Sequence, residues 1–185
     1  DVRVAYPVTG RNKHERLQAL RADSKISFTV DTVAGADQAS AVYAEADIPV
    51  DVLIEVDVGH GRCGVHWADD AAAVTLARRI ASLPGLTLAG ILTHAGQAYS
   101  GPSNGETEAD ALRRASRQER DRMLSVASAL AEADGVNVTP DNFEISVGST
   151  PSMAAFTNAT RDGFRVTEIR PGNYVMHDAM QVALG

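Results

Sequence analysis

The sequence predicts an α/β fold: a partial (β/α)8 TIM barrel that carries about six of the eight strands. Three observations predict it. Strand-like and helix-like stretches alternate along the chain, which requires a parallel sheet with helical crossovers. Four strand-like runs pass directly into polar, glycine-bearing turns: Gly-His-Gly-Arg-Cys-Gly (59–64), His-Ala-Gly-Gln-Ala-Tyr-Ser (94–100), Gly-Ser-Thr-Pro-Ser (148–152) and Arg-Pro-Gly-Asn-Tyr (170–174). A parallel α/β enzyme presents its site on turns of this kind, at the carboxyl ends of its strands. The third observation is the strand Asp51–Val58. Val52, Ile54, Val56 and Val58 share one face, and Asp51, Leu53, Glu55 and Asp57 share the other. An open doubly wound sheet buries both faces and favours apolar residues on each. Acids on one face suit the polar upper interior of a barrel.

The elements follow in order. Strand-like runs are Val2–Val8, Ile26–Asp31, Val50–Val58, Leu86–Thr93, Phe143–Val147 and Val166–Ile169. Helical patterns lie between them. Lys13–Arg21 is short and charged, and Asp37–Ala46 follows an Asp-bearing turn. Asp70–Leu83 opens on Asp69-Asp70, repeats Val74, Leu76, Ala77 and Ile80 at helical spacing, and stops at Pro84-Gly85. Thr107–Ala133 is the longest, with Met123, Val126, Ala127 and Leu130 on its buried stripe and Gly135 beyond its end. A whole barrel takes about 250 residues. The chain starts at Asp1, inside a strand-like run. Residues 1–185 therefore read as one barrel domain that is a segment of something longer.

Composition narrows the function. Net charge −7 with no basic run argues against a nucleic-acid surface and against anionic membranes; Arg113 to Arg122 is interleaved with Glu119 and Asp121. The single cysteine, Cys63, excludes an internal disulfide and fits a reducing compartment. No signal-like start and no run of 18 apolar residues is present. A cytoplasmic protein is expected.

The turns carry the chemistry. Arg62 follows a strand among glycines that let backbone approach a ligand, and its guanidinium can donate to a phenolate or phosphate oxygen. The bland alternative pairs it with Asp57. His94 shares a strand face with Leu88, Gly90 and Leu92; its imidazole can stack on a ring or order an arginine. Tyr99 lies in the loop beyond. Gly148, Ser149 and Thr150 form a strand-to-helix turn whose N–H groups attract anions, with Pro151 suited to the first helical turn. Gly172 and the N–H groups of Asn173 and Tyr174 can complete a phosphate cradle. Arg170 points inward with Glu168, either to pair with an acid or to face a pyridine nitrogen. Together these suit a phosphorylated aromatic cofactor. Two other sites are weaker on the same residues. His60, Cys63 and His66 are spaced three apart, but a zinc site needs a fourth ligand or water and a second-shell carboxylate. Ser149 lies on a strand-to-helix turn, but Gly-Ser-Thr-Pro-Ser is not a G-x-S-x-G elbow.

Glu-Val-Asp-Val-Gly-His-Gly-Arg-Cys-Gly-Val (55–65), Gly-Ile-Leu-Thr-His-Ala-Gly-Gln-Ala-Tyr-Ser (90–100), Ile-Ser-Val-Gly-Ser-Thr-Pro-Ser (145–152) and Thr-Glu-Ile-Arg-Pro-Gly-Asn-Tyr-Val-Met-His-Asp (167–178) occur in this order. So arranged, they resemble the barrel of the D-threonine aldolase / D-serine dehydratase family. That family has the alanine-racemase N-terminal-domain-like fold of fold-type III pyridoxal-phosphate enzymes. The opening Asp-Val-Arg-Val-Ala-Tyr-Pro-Val resembles its third strand, so the match covers essentially the whole chain. The Ser-Val-Gly-Ser-Thr-Pro turn is nearer the dehydratase side. The resemblance implies pyridoxal 5'-phosphate as cofactor, with Arg62 near its phenolic oxygen and His94 and Tyr99 beside the ring. It places Gly148, Ser149, Thr150, Gly172, Asn173 and Tyr174 about the phosphate, and Arg170 by the pyridine nitrogen. It implies a lyase acting on small β-hydroxy D-amino acids, and a homodimer. The family's Schiff-base lysine lies in a Pro-His-x-Lys-Thr-like run on the first strand. This chain has only Lys13, in a charged helix, and Lys25, at the amino end of a strand. No catalytic residue is therefore assigned within the chain. The family's divalent metal (zinc or manganese) belongs to a C-terminal β-domain that would follow Gly185, so no metal ligand is assigned here either. A non-catalytic pyridoxal-phosphate homeostasis protein is the competing class, and an amino-acid racemase is a further enzymatic alternative.

Overall fold

The computed structural model describes residues 1–46, 48–176, 179 and 182. Its elements are β1 (Val2–Pro7), α1 (Arg11–Leu20), β2 (Ile26–Val30), α2 (Val33–Tyr43), β3 (Val50–Asp57), β4 (Val65–His66), α3 (Asp70–Ser82), β5 (Leu86–Leu92), α4 (Glu108–Ala131), β6 (Glu144–Val147), α5 (Thr150–Ala154) and β7 (Glu168–Ile169). The strands lie in the order β1-β2-β3-β5-β6-β7, all parallel, with short β4 beside the carboxyl end of β3. This is the curled half-barrel that the alternation of periods predicts. Residues 177, 178, 180, 181 and 183–185, where the sequence leads one to expect a lead-in to a further domain, lie outside the described residues.

Local chemistry sets the boundaries. α2 begins at Val33 rather than at the expected Asp37, because the Thr32 hydroxyl accepts the Gly35 N–H and caps the helix. Asp69 caps α3 and Thr107 caps α4 in the same way. The last strand is shorter than the expected Val166–Ile169: the Asn158 amide takes both the N–H and the carbonyl of Val166 and removes that residue from the ladder.

The two faces of the sheet differ as the β3 pattern demands. On the outer face Phe28, Val30, Val52, Ile54, Val56, Ile91 and Ile145 are buried under the helices, against Ala39, Tyr43, Leu76, Ile80, Met123 and Leu130. The inner face is polar. Arg3 on β1 donates to Ser27, to Glu144 on β6 (Nη2 to Oε2, 2.8 Å) and to Glu168 on β7 (2.5 Å). β1 and β7 stand at opposite edges of the sheet, so these bonds span the hollow and register how far it curls.

His14 on α1 is wholly buried, its ring 5.0 Å from that of Phe28 and 5.9 Å from that of Tyr43. Burial lowers its pKa below the usual histidine value, opposed by the nearby Val8 backbone. The unfolded chain thus takes up this proton more readily than the folded one. The stability it contributes is present above the unfolded pKa of about 6.5 and is lost as pH falls below it. Urea midpoints should drop between pH 7.5 and pH 5.5, and His14→Phe should flatten that drop.

Candidate functional site

The carboxyl ends of the strands gather the residues on which the sequence places chemistry. At the end of β3, the Asp57 carboxylate accepts the N–H groups of Gly59, His60 and Gly61 at 2.9 to 3.1 Å. These bonds hold its pKa below the usual value even though burial pushes the other way. The turn is therefore folded around Asp57, and the alternative Arg62–Asp57 pairing does not form among the described residues. Arg62 instead extends over the inner face. Its Nη2 lies 3.9 Å from Glu55 Oε1, and its guanidinium stands 5.2 Å from the Tyr6 ring centroid. Gly64 is required here: with φ +106, a Cβ would fall 2.7 Å from the Asp57 nitrogen.

Glu55 is 1% exposed on the inner face of β3. Its Oε1 receives the Cys63 thiol at 3.8 Å, while Oε2 and the neighbouring buried Thr29 hydroxyl have no hydrogen-bond partner among the described residues. Burial pushes its pKa up to about 7; the Arg62 and Arg170 charges pull it down, and Asp31 pushes it further up. The folded protein holds a proton that the unfolded chain releases, so the stability contributed by this group falls as pH rises from about 4.5 to about 7. Glu55→Gln should therefore raise the unfolding midpoint at pH 8 and leave it nearly unchanged at pH 4.5. Equal shifts at both pH values would refute the assignment.

His94 follows β5, and its Nδ1 lies 3.0 Å from the Gly148 carbonyl. A carbonyl only accepts, so Nδ1 carries the proton and Nε2 is left as the acceptor of the neutral ring. Burial keeps the ring neutral, with Arg62, His60 and Arg170 adding to the effect and the Gly148 bond opposing it. The ring packs 6.3 Å from Tyr99 and 5.8 Å from His60. His60 lies across Gly96, where a Cβ would meet its ring at 2.3 Å. Sequence reasoning weighed His60 only as a metal ligand. Among the described residues no group of three His, Cys, Asp or Glu side chains is arranged to hold a metal ion.

Gly148 is required by close approach, since a Cβ there would sit 2.7 Å from the Arg170 nitrogen. The next residue differs from expectation. Ser149 is buried, its hydroxyl donates to Ser152 Oγ at 2.8 Å and caps α5, so that oxygen is used within the turn. Thr150 Oγ1 accepts the Asn173 N–H at 2.8 Å and ties the Arg-Pro-Gly-Asn turn to the start of α5. Gly172 and Asn173 are thus beside Thr150 as predicted, whereas Tyr174 is 62% exposed and turned to the surface. Arg170 points inward: Nε donates to Ser146 Oγ at 2.7 Å and forms an ion pair with Glu168 at 3.5 Å, and Nη2 donates to the Thr93 carbonyl. Of the two expected roles of the inward arginine, the pairing with an acid is formed, with Glu168.

One buried acid escaped the sequence reading. Glu119 on α4 is wholly buried and accepts from Gly148 N–H and Ser152 Oγ. Its signal was the four-residue spacing Ala115, Glu119, Met123, which extends the buried stripe toward the amino end of α4. The lysines lie elsewhere: Lys13 is exposed on α1, and Lys25 pairs with Asp51 at 2.9 Å at the amino ends of the strands.

A parallel half-barrel with two arginines, a neutral histidine and a Gly-Ser-Thr turn at its carboxyl ends has the form of a fold-type III barrel. The chain belongs to the family of the alanine racemase N-terminal domain, whose model matches residues 5–179. It is 32% identical over 185 residues to the D-threo-3-hydroxyaspartate dehydratase of Delftia sp. (strain HT23), which covers 100% of this chain and 45% of that protein. The solved structure of that dehydratase superposes with a TM-score of 0.80 over 98% of this chain and 44% of the other. The chain is 41% identical to the D-threonine aldolase of Arthrobacter sp over 101 residues, 55% of this chain and 25% of the aldolase. It thus spans less than half the length of both relatives. An uncharacterized protein of Mycobacterium tuberculosis is 33% identical over 156 residues, 82% of this chain and 80% of that one. No helix among the described residues is long and apolar enough to cross a membrane.

Proposed function

We propose that the chain is the cofactor-holding barrel of a pyridoxal-phosphate-dependent lyase that acts on β-hydroxy D-amino acids. The observation that carries this reading is the convergence of Arg62, His94 and Arg170 on one polar face, with His94 Nδ1 committed to Gly148. Two relatives named for cleaving or dehydrating β-hydroxy D-amino acids support the substrate class.

The donor set fits the cofactor. Two cations and a neutral imidazole suit a phosphorylated hydroxypyridine, and the buried Glu55 and Thr29 add polar groups to the same inner face. When bound, the cofactor supplies an electron sink for bonds at the substrate α-carbon. This chain's residues orient it and set protonation around it. Arg62 would donate to the phenolic oxygen. His94 would cover the ring, held in one tautomer by Gly148. Arg170, a guanidinium that does not give up its proton, would keep a facing ring nitrogen unprotonated. Thr150, Gly172 and Asn173, with the first turn of α5, would hold the phosphate. Ser149 and Tyr174 contribute to the turn and the surface respectively.

The anchoring lysine, a divalent metal (zinc or manganese) in a second domain, and a homodimeric assembly belong in this reading to the whole protein, as does the choice between aldol cleavage and dehydration. A second reading, a non-catalytic pyridoxal-phosphate-binding protein, is favoured by the Mycobacterium relative, most of which the chain covers. Reversible binding of pyridoxal 5'-phosphate tests the site under both readings. Arg62→Ala should weaken it about tenfold, the scale of one charge-assisted hydrogen bond. Unchanged binding would remove Arg62 from the site.

A further inference from the structure

The two turns that carry His94 and Gly148 come from different strands and meet at the His94–Gly148 hydrogen bond. What anchors this meeting point to the helical layer is a side chain of α4. Glu119 of α4 has no exposed surface. Its Oε1 accepts the Gly148 N–H at 2.8 Å and its Oε2 accepts the Ser152 hydroxyl at 2.8 Å. The Ala95 N–H, directly after His94, lies close enough to help lower the pKa of this carboxyl group against burial. Ser152 in turn receives the Ser149 hydroxyl at 2.8 Å, so the whole start of α5 is drawn into one network. The carbonyl of the same Gly148 accepts His94 Nδ1–H at 3.0 Å.

We propose that Glu119 is a positioning residue for the cofactor site: its buried carboxyl group pins the turns after β5 and β6 to α4 and thereby fixes the His94 imidazole. This rests on the cofactor reading for its purpose, but not for its geometry. A carboxyl group placed in the interior is costly unless donors surround it. Here the donors are the Gly148 N–H and the Ser152 hydroxyl, with the Ala95 N–H and the Arg170 charge nearby. Both donors belong to the turn that needs holding. Removal would leave the Gly148 N–H buried without an acceptor, which favours opening of that turn and with it of its contact with His94. The His94 ring would lose its fixed acceptor, because Gly148 would no longer be held. Around that ring stand Arg62 and Arg170, which only donate, and His60, which is not hydrogen-bonded to Nδ1, so the Gly148 carbonyl is the acceptor that selects the Nδ1–H tautomer.

The test is the His94 tautomer by nitrogen NMR, with pyridoxal 5'-phosphate affinity as a second readout. Wild type should show the Nδ1–H form as dominant. Glu119→Ala should make it the minor form and weaken pyridoxal 5'-phosphate at least tenfold. Glu119→Gln keeps one acceptor oxygen and should restore most of both. Should Glu119→Ala fail to fold, Ser152→Ala removes one of the network's bonds at little cost in volume; it should shift the tautomer in the same direction by a smaller amount. A folded Glu119→Ala, or a Ser152→Ala, with the wild-type tautomer ratio overturns the proposal. If wild type itself does not bind pyridoxal 5'-phosphate, the cofactor reading fails, and the tautomer still decides the role of Glu119.

Discussion

Gly85→Ala should cost the protein more than about 3 kcal/mol, a large fraction of the stability of an ordinary domain. Gly85 has φ +75, and a Cβ there would lie 2.0 Å from the Tyr43 carbonyl oxygen and 2.2 Å from its carbon. Those atoms are backbone at the end of α2, so no rotamer change relieves the clash. The surroundings are also tied down. Val50 N–H donates to the Gly85 carbonyl at 2.9 Å, and the Ser40 hydroxyl donates to the Pro84 carbonyl at 2.9 Å. Moving Gly85 therefore breaks the entry to β3, the central strand on which Glu55, Asp57 and Arg62 depend. Circular dichroism during urea titration checks this. A variant that unfolds within about 1 kcal/mol of wild type would show that the α2–β5 contact yields freely.

Arg170→Ala should combine a stability loss of about 3 kcal/mol with loss of ligand binding. The guanidinium is largely buried and donates to Ser146, to the Thr93 carbonyl and toward Glu168. It also pulls down the pKa of buried Glu55 and of Glu119. Without it, Glu55 keeps its proton to higher pH. The variant should therefore lose more stability at pH 8, where Glu55 must ionise against burial, than at pH 6, where it stays protonated. Urea midpoints at the two pH values, with Arg170→Met as a control for volume, measure the charge separately from packing. An equal loss at both would show that Arg170 does not act on the inner-face acids.

The barrel was legible because its two periods were. Alternation in β3 placed valines outward and acids inward, and the helix stripes of α3 and α4 named their core residues. Boundaries were less legible where a side chain replaced a backbone partner: Thr32 started α2 early, and Asn158 cut β7 short by occupying Val166. At the site, residues on single turns were readable, because glycine and polar residues after a strand mark the carboxyl ends. Links between turns were not. Asp57 was spent on its own loop rather than on Arg62, Ser149 on capping α5, and Glu119 reached from a helix to the turn after β6. Such links depend on which helix face lies over which strand end, and spacing within one segment carries no record of it.

The most direct measurement is an equilibrium titration with pyridoxal 5'-phosphate, with pyridoxal as the phosphate-free comparison. It should be run on a Lys13→Arg, Lys25→Arg double variant, because those are the chain's two lysines and imine formation on either would imitate binding. The account predicts saturable, reversible binding of the phosphate ester, about tenfold weaker in Arg62→Ala and far weaker for pyridoxal. Equal binding of the two compounds, or binding that disappears with the lysines, would contradict a cofactor site at the carboxyl ends of this barrel.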